Sequence, residues 1–117
     1  MARLYDTITA GLKAYQNWRE TSEVELPSAR VWSEFVFRDR GLPAGKLAEI
    51  SEKLAFFYDT NFYVRTMRPE VPAMLARLKS AGFRLGVISN VVSLGQVPHN
   101  LRAYGLDHYF EVVVTSS

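Results

Sequence analysis

Two short β-branched apolar runs, Arg84-Leu85-Gly86-Val87-Ile88-Ser89 and Tyr109 to Thr115, flank one amphipathic segment near the end of the chain. Such runs read as buried strands. Two strands joined through a crossover helix must be parallel. Upstream, Pro69 can open a helix at its first turn, with Val71, Met74, Leu75 and Leu78 as the inward stripe and Gly82 as its end. In the crossover, Ser93 and Gln96 have capping-box spacing, which starts the helix at Ser93; the alternative is a short turn first, with the regular helix starting at Pro98. Leu101 and Tyr104 then face inward and Gly105 closes the helix. Helix–strand–helix–strand is the repeating unit of a doubly wound α/β fold.

The rest of the chain reads as helix. Leu4, Ile8, Leu12, Tyr15 and Trp18 recur at spacings of four and three and share one face. Thr21 to Pro27 reads as a loop. Ser28 is an N-cap for a second helix to about Arg40, with Val31, Trp32, Phe35 and Val36 inward and Gly41 as the stop. A third helix spans about Pro43 to Phe62 on a face of Leu47, Ile50, Leu54, Phe57 and Phe62, with Lys46, Glu49, Glu52 and Lys53 outside. The expected organisation is a helical module over 1–66 and a partial α/β core over 67–117.

Composition removes whole classes of function. The 117 residues hold no cysteine, so there is no disulfide scaffold, no thiolate nucleophile and no cysteine zinc site. Two histidines, His99 and His108, cannot form a His-rich metal cluster. The net charge is +2 with no run of three basic residues, which argues against a nucleic-acid partner. No apolar run approaches the roughly 20 residues of a spanning helix. The first residues lack the charged-then-apolar design of a signal peptide, so no membrane partner and a cytoplasmic location are the default expectations.

In open parallel sheets, ligands sit beyond the C-terminal strand ends. Ser89 and Asn90 occupy that place on the first strand and Ser116 on the second. A hydroxyl and an amide there can donate to an anion, and the start of the next helix adds N–H groups. The competing reading is that Ser89-Asn90 simply caps and turns the chain. Asp6, Asp39, Asp59 and Asp107 are the only aspartates, and none follows an apolar strand. All four read as solvated charges. The aromatics Phe56, Phe57, Tyr58, Phe62 and Tyr63 read as bundle core.

Arg68-Pro69-Glu70-Val71-Pro72, Leu75, Leu78-Lys79 and Ala81 through Asn90 together resemble the second motif region of the haloacid dehalogenase-like (HAD) hydrolase superfamily. Val97-Pro98, Leu101, Tyr104-Gly105-Leu106, Tyr109-Phe110 and Val112 to Ser116 fit the same family's next helix and strand. The resemblance implies a partial HAD-like Rossmannoid core, a parallel βαβ unit, preceded by a helical-bundle cap. It implies hydrolysis of a small phosphorylated or halogenated metabolite through an aspartyl-enzyme intermediate. Ser89 matches the family's Ser/Thr motif, whose hydroxyl binds the transferring phosphoryl group, and Asn90 matches a common companion. The nucleophile motif, the later Lys and the acidic pair of the Mg²⁺ site have no match. The nearest approach to the first, Leu4-Tyr5-Asp6-Thr7-Ile8, has Ile8 where the second aspartate belongs. The resemblance therefore assigns this chain no catalytic and no metal-ligating residue. Mg²⁺ is expected for a complete phosphatase of the family and not for this chain alone.

Two strands make a poor sheet. Leaving one apolar face wet forfeits roughly 4–8 kcal/mol at about 1.5–3 per aliphatic side chain. Against a total stability of about 5–15 kcal/mol, that predicts a chain that belongs to a longer polypeptide or associates with itself through the open sheet. The alternative function is a non-catalytic protein on the same scaffold, whose open sheet binds another protein chain.

Overall fold

The three-to-four spacing of the first segment folds as α1 (Ala2–Ser22) in the computed structural model, which describes residues 2–116; Met1 and Ser117 lie outside the described residues. Ile8 and Tyr15 are buried on the expected stripe, while Leu4 is exposed. Glu23 ends the helix at φ +55°, its N–H returning to the Arg19 carbonyl at 2.9 Å. The Tyr15 hydroxyl then pins the loop, donating to Glu25 Oε2 at 2.8 Å and accepting from the Leu26 N–H at 3.0 Å.

The second helix is shorter than its sequence suggests. It comprises α2 (Ser28–Val31) and a π-helical turn, Trp32–Val36. Pro27 occupies the N-cap position, and the Ser28 hydroxyl is buried without a partner instead of capping. The wide turn closes through the Phe37 N–H and the Trp32 carbonyl at 2.9 Å, after which Phe37 leaves helical geometry. This widening turns Trp32 and Val36, four residues apart, into one core with Ile8, Ala55 and Tyr58. It also lays the Val36 backbone on α1 at Gly11, where an added Cβ would meet Val36 Cα at 2.5 Å and the Phe35 carbonyl at 2.8 Å.

Helix α3 (Ala44–Asn61) lies where expected, but its buried face is Leu47, Ser51, Ala55 and Tyr58. Ile50, Phe57 and Phe62 are exposed. The cause is Ala55, whose small side chain packs in the cluster with Trp32; reading the face from large residues alone turns the helix by about one position.

An exposed segment, 62–66, leads toward α4 (Val71–Ser80), on which Leu75 is buried and Met74 is not. Then follow β1 (Gly86–Ser89), α5 (Gln96–Ala103), a 3₁₀ turn at Asp107–Tyr109 and β2 (Val112–Thr115). The strands pair in parallel, Gly86 with Val112 through Ser89 with Thr115. Backbone bonds from Glu111 to Leu85 (2.9 Å) and from Ser116 to Ser89 (3.2 Å) extend the ladder at both ends. Helix α5 starts between the two expected positions, with Gly95 as N-cap and Pro98 inside the first turn. Gly41, Gly82 and Gly105, each read as a stop, all adopt positive φ (+64°, +86° and +66°). The architecture is thus a parallel β–α–β unit preceded by a helical bundle.

The register separates the sheet faces. Val87 and Ser89 share one face with Val113 and Thr115, and it is largely half-buried. Ile88, Val112 and Val114 share the other, which is open; Ile88 is 88% exposed.

Two outcomes follow. Gly11→Ala should destabilise the chain by about 1–3 kcal/mol through overpacking, despite alanine's better helix propensity of about 1 kcal/mol. A thermal melt checks this, and an unchanged or raised midpoint contradicts the close approach. Ile88→Lys and Val114→Lys should shift self-association toward monomer in light scattering without lowering the melting midpoint, whereas Val113→Lys should lower it. A chain already monomeric at high concentration would show that the open face does not self-associate.

Candidate functional site

The parallel register brings both strand ends to one edge. Ser89 lies beside Thr115, Asn90 follows, and the Ser116 N–H donates to the Ser89 carbonyl. The Ser116 hydroxyl accepts from the Val91 N–H at 3.1 Å, tying the loop after β1 to the end of β2. Ser116 is therefore engaged with backbone. The Ser89 hydroxyl, half-buried, and the Asn90 amide, exposed, make no side-chain hydrogen bond among the described residues. Neither side chain caps or closes the turn.

The loop that follows docks onto the helical bundle. Val92 packs against the cluster of Ile8, Trp32, Val36, Ala55 and Tyr58, and Ser93 is fully buried. Sequence spacing places Glu52 outside α3, but its carboxylate accepts from the Ser93 hydroxyl at 2.8 Å, the Leu94 N–H at 3.1 Å and the Gly95 N–H at 3.0 Å. The donors ahead of α5 are thus filled from within. The expectation that they would serve an external anion is corrected: a carboxylate of the chain already takes the place such an anion would occupy.

Between α1, α3 and this loop lies a cavity of about 200 Å³ lined by Gln16, Arg19, Asp59, Tyr63, Arg65 and Val92 among others. Asp59 is not the solvated charge its sequence position suggests. Its side chain is 14% exposed and sits 3.7 Å from Arg65 Nη2. Burial raises its carboxyl above the ordinary carboxylate range, and the Arg65 guanidinium opposes that shift. With its amide oxygen turned toward the guanidinium, Gln96 accepts from Arg65 at 2.7 Å. The Arg65 guanidinium lies over the Tyr63 ring at 5.3 Å. A hydrogen bond with Tyr58, reinforced by burial, pushes the Tyr63 phenol up to about 12.

The remaining candidates are structural or peripheral. Asp6, Asp39 and Asp107 are exposed and belong to α1, the turn before α3 and the 3₁₀ turn. His99 meets the edge of Phe56 at 5.2 Å, and His108 packs on Tyr109 at 4.1 Å. Phe57 and Phe62 are not bundle core; with Leu4, Tyr5, Ile8 and Leu54 they line an apolar cleft of about 310 Å³. Among the described residues, no group of three His, Cys, Asp or Glu side chains can hold a metal. The neutral hydroxyl and amide at the strand ends do not fit a Mg²⁺ ion, which needs carboxylates or phosphate oxygens.

A family model described as haloacid dehalogenase-like hydrolase matches residues 3–117. The chain belongs to that family. A curated relative, the glyceraldehyde 3-phosphate phosphatase of Methanothermobacter thermautotrophicus, is 38% identical over 60 residues, 51% of this chain and 26% of that protein. The chain thus spans about a quarter of the relative's length. No solved structure matches it. In this HAD-like hydrolase chain, the resemblance read from residues 68–117 extends through the helical bundle as well.

The Asp59 environment has a pH signature. A carboxyl that binds its proton more tightly in the folded than in the unfolded chain stabilises the fold most at low pH, and that contribution is lost as pH rises through the folded-state pKa. Asp59 should therefore titrate above 3.8 in a carboxyl-detected NMR experiment. Arg65→Gln should move it higher still. Titration of Asp59 below the ordinary aspartate value would contradict the burial argument.

Proposed function

We propose that this chain supplies the helical cap, residues 1–66, and part of the α/β core, residues 67–117, of a HAD-family phosphatase acting on a small phosphorylated metabolite. The observation that carries the proposal is the pair Ser89-Asn90 at a C-terminal strand end, both side chains without a hydrogen-bond partner among the described residues, on a β–α–β unit of this family. The Ser89 hydroxyl would donate to an oxygen of the phosphoryl group, and the Asn90 amide would add a second donor. Phosphate in place of halide rests on the relative, whose name is that of a phosphatase.

The attacking carboxylate and the acidic ligands of Mg²⁺, on which the whole enzyme's chemistry depends, are assigned to no residue of this chain. The four aspartates lie on helices and turns, and none follows a strand. A second reading is favoured by the open sheet face of Ile88, Val112 and Val114, on which another protein chain would dock without any chemistry.

Ser89→Ala in the whole protein should lower kcat/KM toward a triose phosphate by about 10²–10³-fold, the scale of losing one donor to a transition-state oxygen. The 117-residue chain alone, with Mg²⁺ and an aryl phosphate, should show no turnover above background. Turnover by the chain alone that vanishes when Asp6, Asp39, Asp59 or Asp107 becomes Asn would overturn this assignment. Whole-protein activity indifferent to Ser89→Ala would do the same for the phosphate site.

A further inference from the structure

Two hollows meet at Leu4, near the start of α1. One, of about 370 Å³, lies between α1 and the turn before α3 and is lined by Arg3, Thr7, Phe37, Arg40 and Leu42. The other is the apolar cleft of about 310 Å³ between α1 and α3, walled by Tyr5, Phe57, Tyr58 and Phe62. Leu4 lines both. The two halves differ in chemistry. In the first, Arg40 Nη2 donates to the Thr7 hydroxyl at 2.9 Å, and that hydroxyl donates to the Arg3 carbonyl at 2.8 Å. The Arg40 guanidinium is thereby held against α1 with N–H donors to spare, since the group carries five. Neither Arg3 nor Arg40 enters an ion pair among the described residues. In the second half, the ring of Phe62 stands 5.0 Å from that of Tyr5 and 5.4 Å from that of Tyr58. Among the described residues, no acidic side chain lines either half. Asp39, next to Arg40 in the chain, lines a neighbouring hollow with Arg38.

We propose that the two hollows form one binding site for an amphipathic anion, a carboxylate on an aliphatic chain of medium length. The head lies between Arg3 and Arg40, whose planar forks match a carboxylate. The tail crosses Leu4 and lies against Tyr5, Phe57 and Phe62. A small polar anion leaves the rings wet, and a neutral hydrocarbon leaves the guanidiniums unanswered; a molecule with both ends satisfies both halves. Leu4, Tyr5, Leu42, Phe57 and Phe62 are all exposed, and a contiguous apolar patch with a charged rim is the mark of a binding surface. Small-molecule sites are mostly apolar, carry a few placed polar groups and hold about 300–1,000 Å³, which this pair of hollows matches. Every lining residue falls within 3–62, so the strand end contributes nothing and the inference does not depend on the phosphatase reading. The cavity beside the loop after β1 meets α1 at Leu12 to Arg19, on the order of 15 Å further along the helix axis. Tyr58 alone lines both that cavity and the cleft.

The test is a titration of the isotope-labelled chain with sodium octanoate, kept below the concentration at which it forms micelles and followed by amide chemical shifts. Shifts should concentrate at residues 3–8, 37–42 and 54–62, and added salt should weaken binding. Octanol, which has the tail without the charge, and acetate, which has the charge without the tail, should each bind at least about fivefold more weakly. Arg3→Gln and Arg40→Gln should each raise the Kd for octanoate about fivefold, the scale of one exposed ion pair, and leave that for octanol unchanged. Phe57→Ala should weaken octanoate and octanol alike. Octanol binding as tightly as octanoate, or a Kd indifferent to both arginine substitutions, would mean an apolar cleft open to any hydrocarbon and would overturn the proposal. So would shifts confined to the open sheet face of Ile88, Val112 and Val114, or no shifts at all. Should one arginine variant fail to fold, the other decides on the same criterion.

Discussion

Parallel pairing of β1 with β2 is the constraint from which the rest of the molecule follows. Because Gly86 pairs with Val112 and Ser89 with Thr115, both strands end at the same edge. The chain must therefore leave that edge after Asn90 and return to the opposite one through a crossover. The loop at 90–95 and helix α5 are that crossover. Its first turns expose backbone N–H groups that need acceptors, and the Ser116 hydroxyl and the Glu52 carboxylate supply them. The site and the junction with the bundle are thus two consequences of one register.

The same pairing leaves an asymmetry that the bundle does not relieve. Helices α1–α3 close on themselves: Trp32 is fully buried, α1 meets Val36 at Gly11, and Ala55 brings α3 onto the same cluster. Their large exposed side chains, Phe57 and Phe62, line a cleft with α1 and do not reach over the sheet. Ile88, Val112 and Val114 consequently face outward. Burial of such side chains is worth about 1.5–3 kcal/mol each. This face is the part of the chain with most to gain from further strands or from another chain.

Most of the order of elements was legible in the sequence, since it rests on local signals. The β-branched runs marked both strands, and Gly41, Gly82 and Gly105 marked turns that do adopt positive φ. Where the reading failed, a tertiary contact had overridden a local preference. The second helix stops at a π-helical turn because Trp32 and Val36 must both enter the core, and no local signal announces that turn. The face of α3 was misread because Ala55, a small residue, makes the closest packing. The place of Ser89 and Asn90 at a strand end was legible because they follow an apolar run. Glu52 was not, since a glutamate on the outer stripe of a helix looks the same whether it meets water or a loop 41 residues later. Asp59 was missed for the same reason, its burial coming from Arg65 and the neighbouring aromatics.

Glu52 also narrows the chemistry of the strand end. An anion beyond a parallel sheet usually draws on two sources, side chains at the strand ends and N–H groups at the next helix start. Here the second source is committed to Glu52, and a negative charge already stands beside Ser93 and Gly95. In the proposed phosphatase, that charge would repel a phosphate from this position and leave Ser89 and Asn90 as the open donors of the strand end. On that proposal, selectivity at this edge would come as much from the carboxylate that closes one half of it as from the hydroxyl and amide of the other.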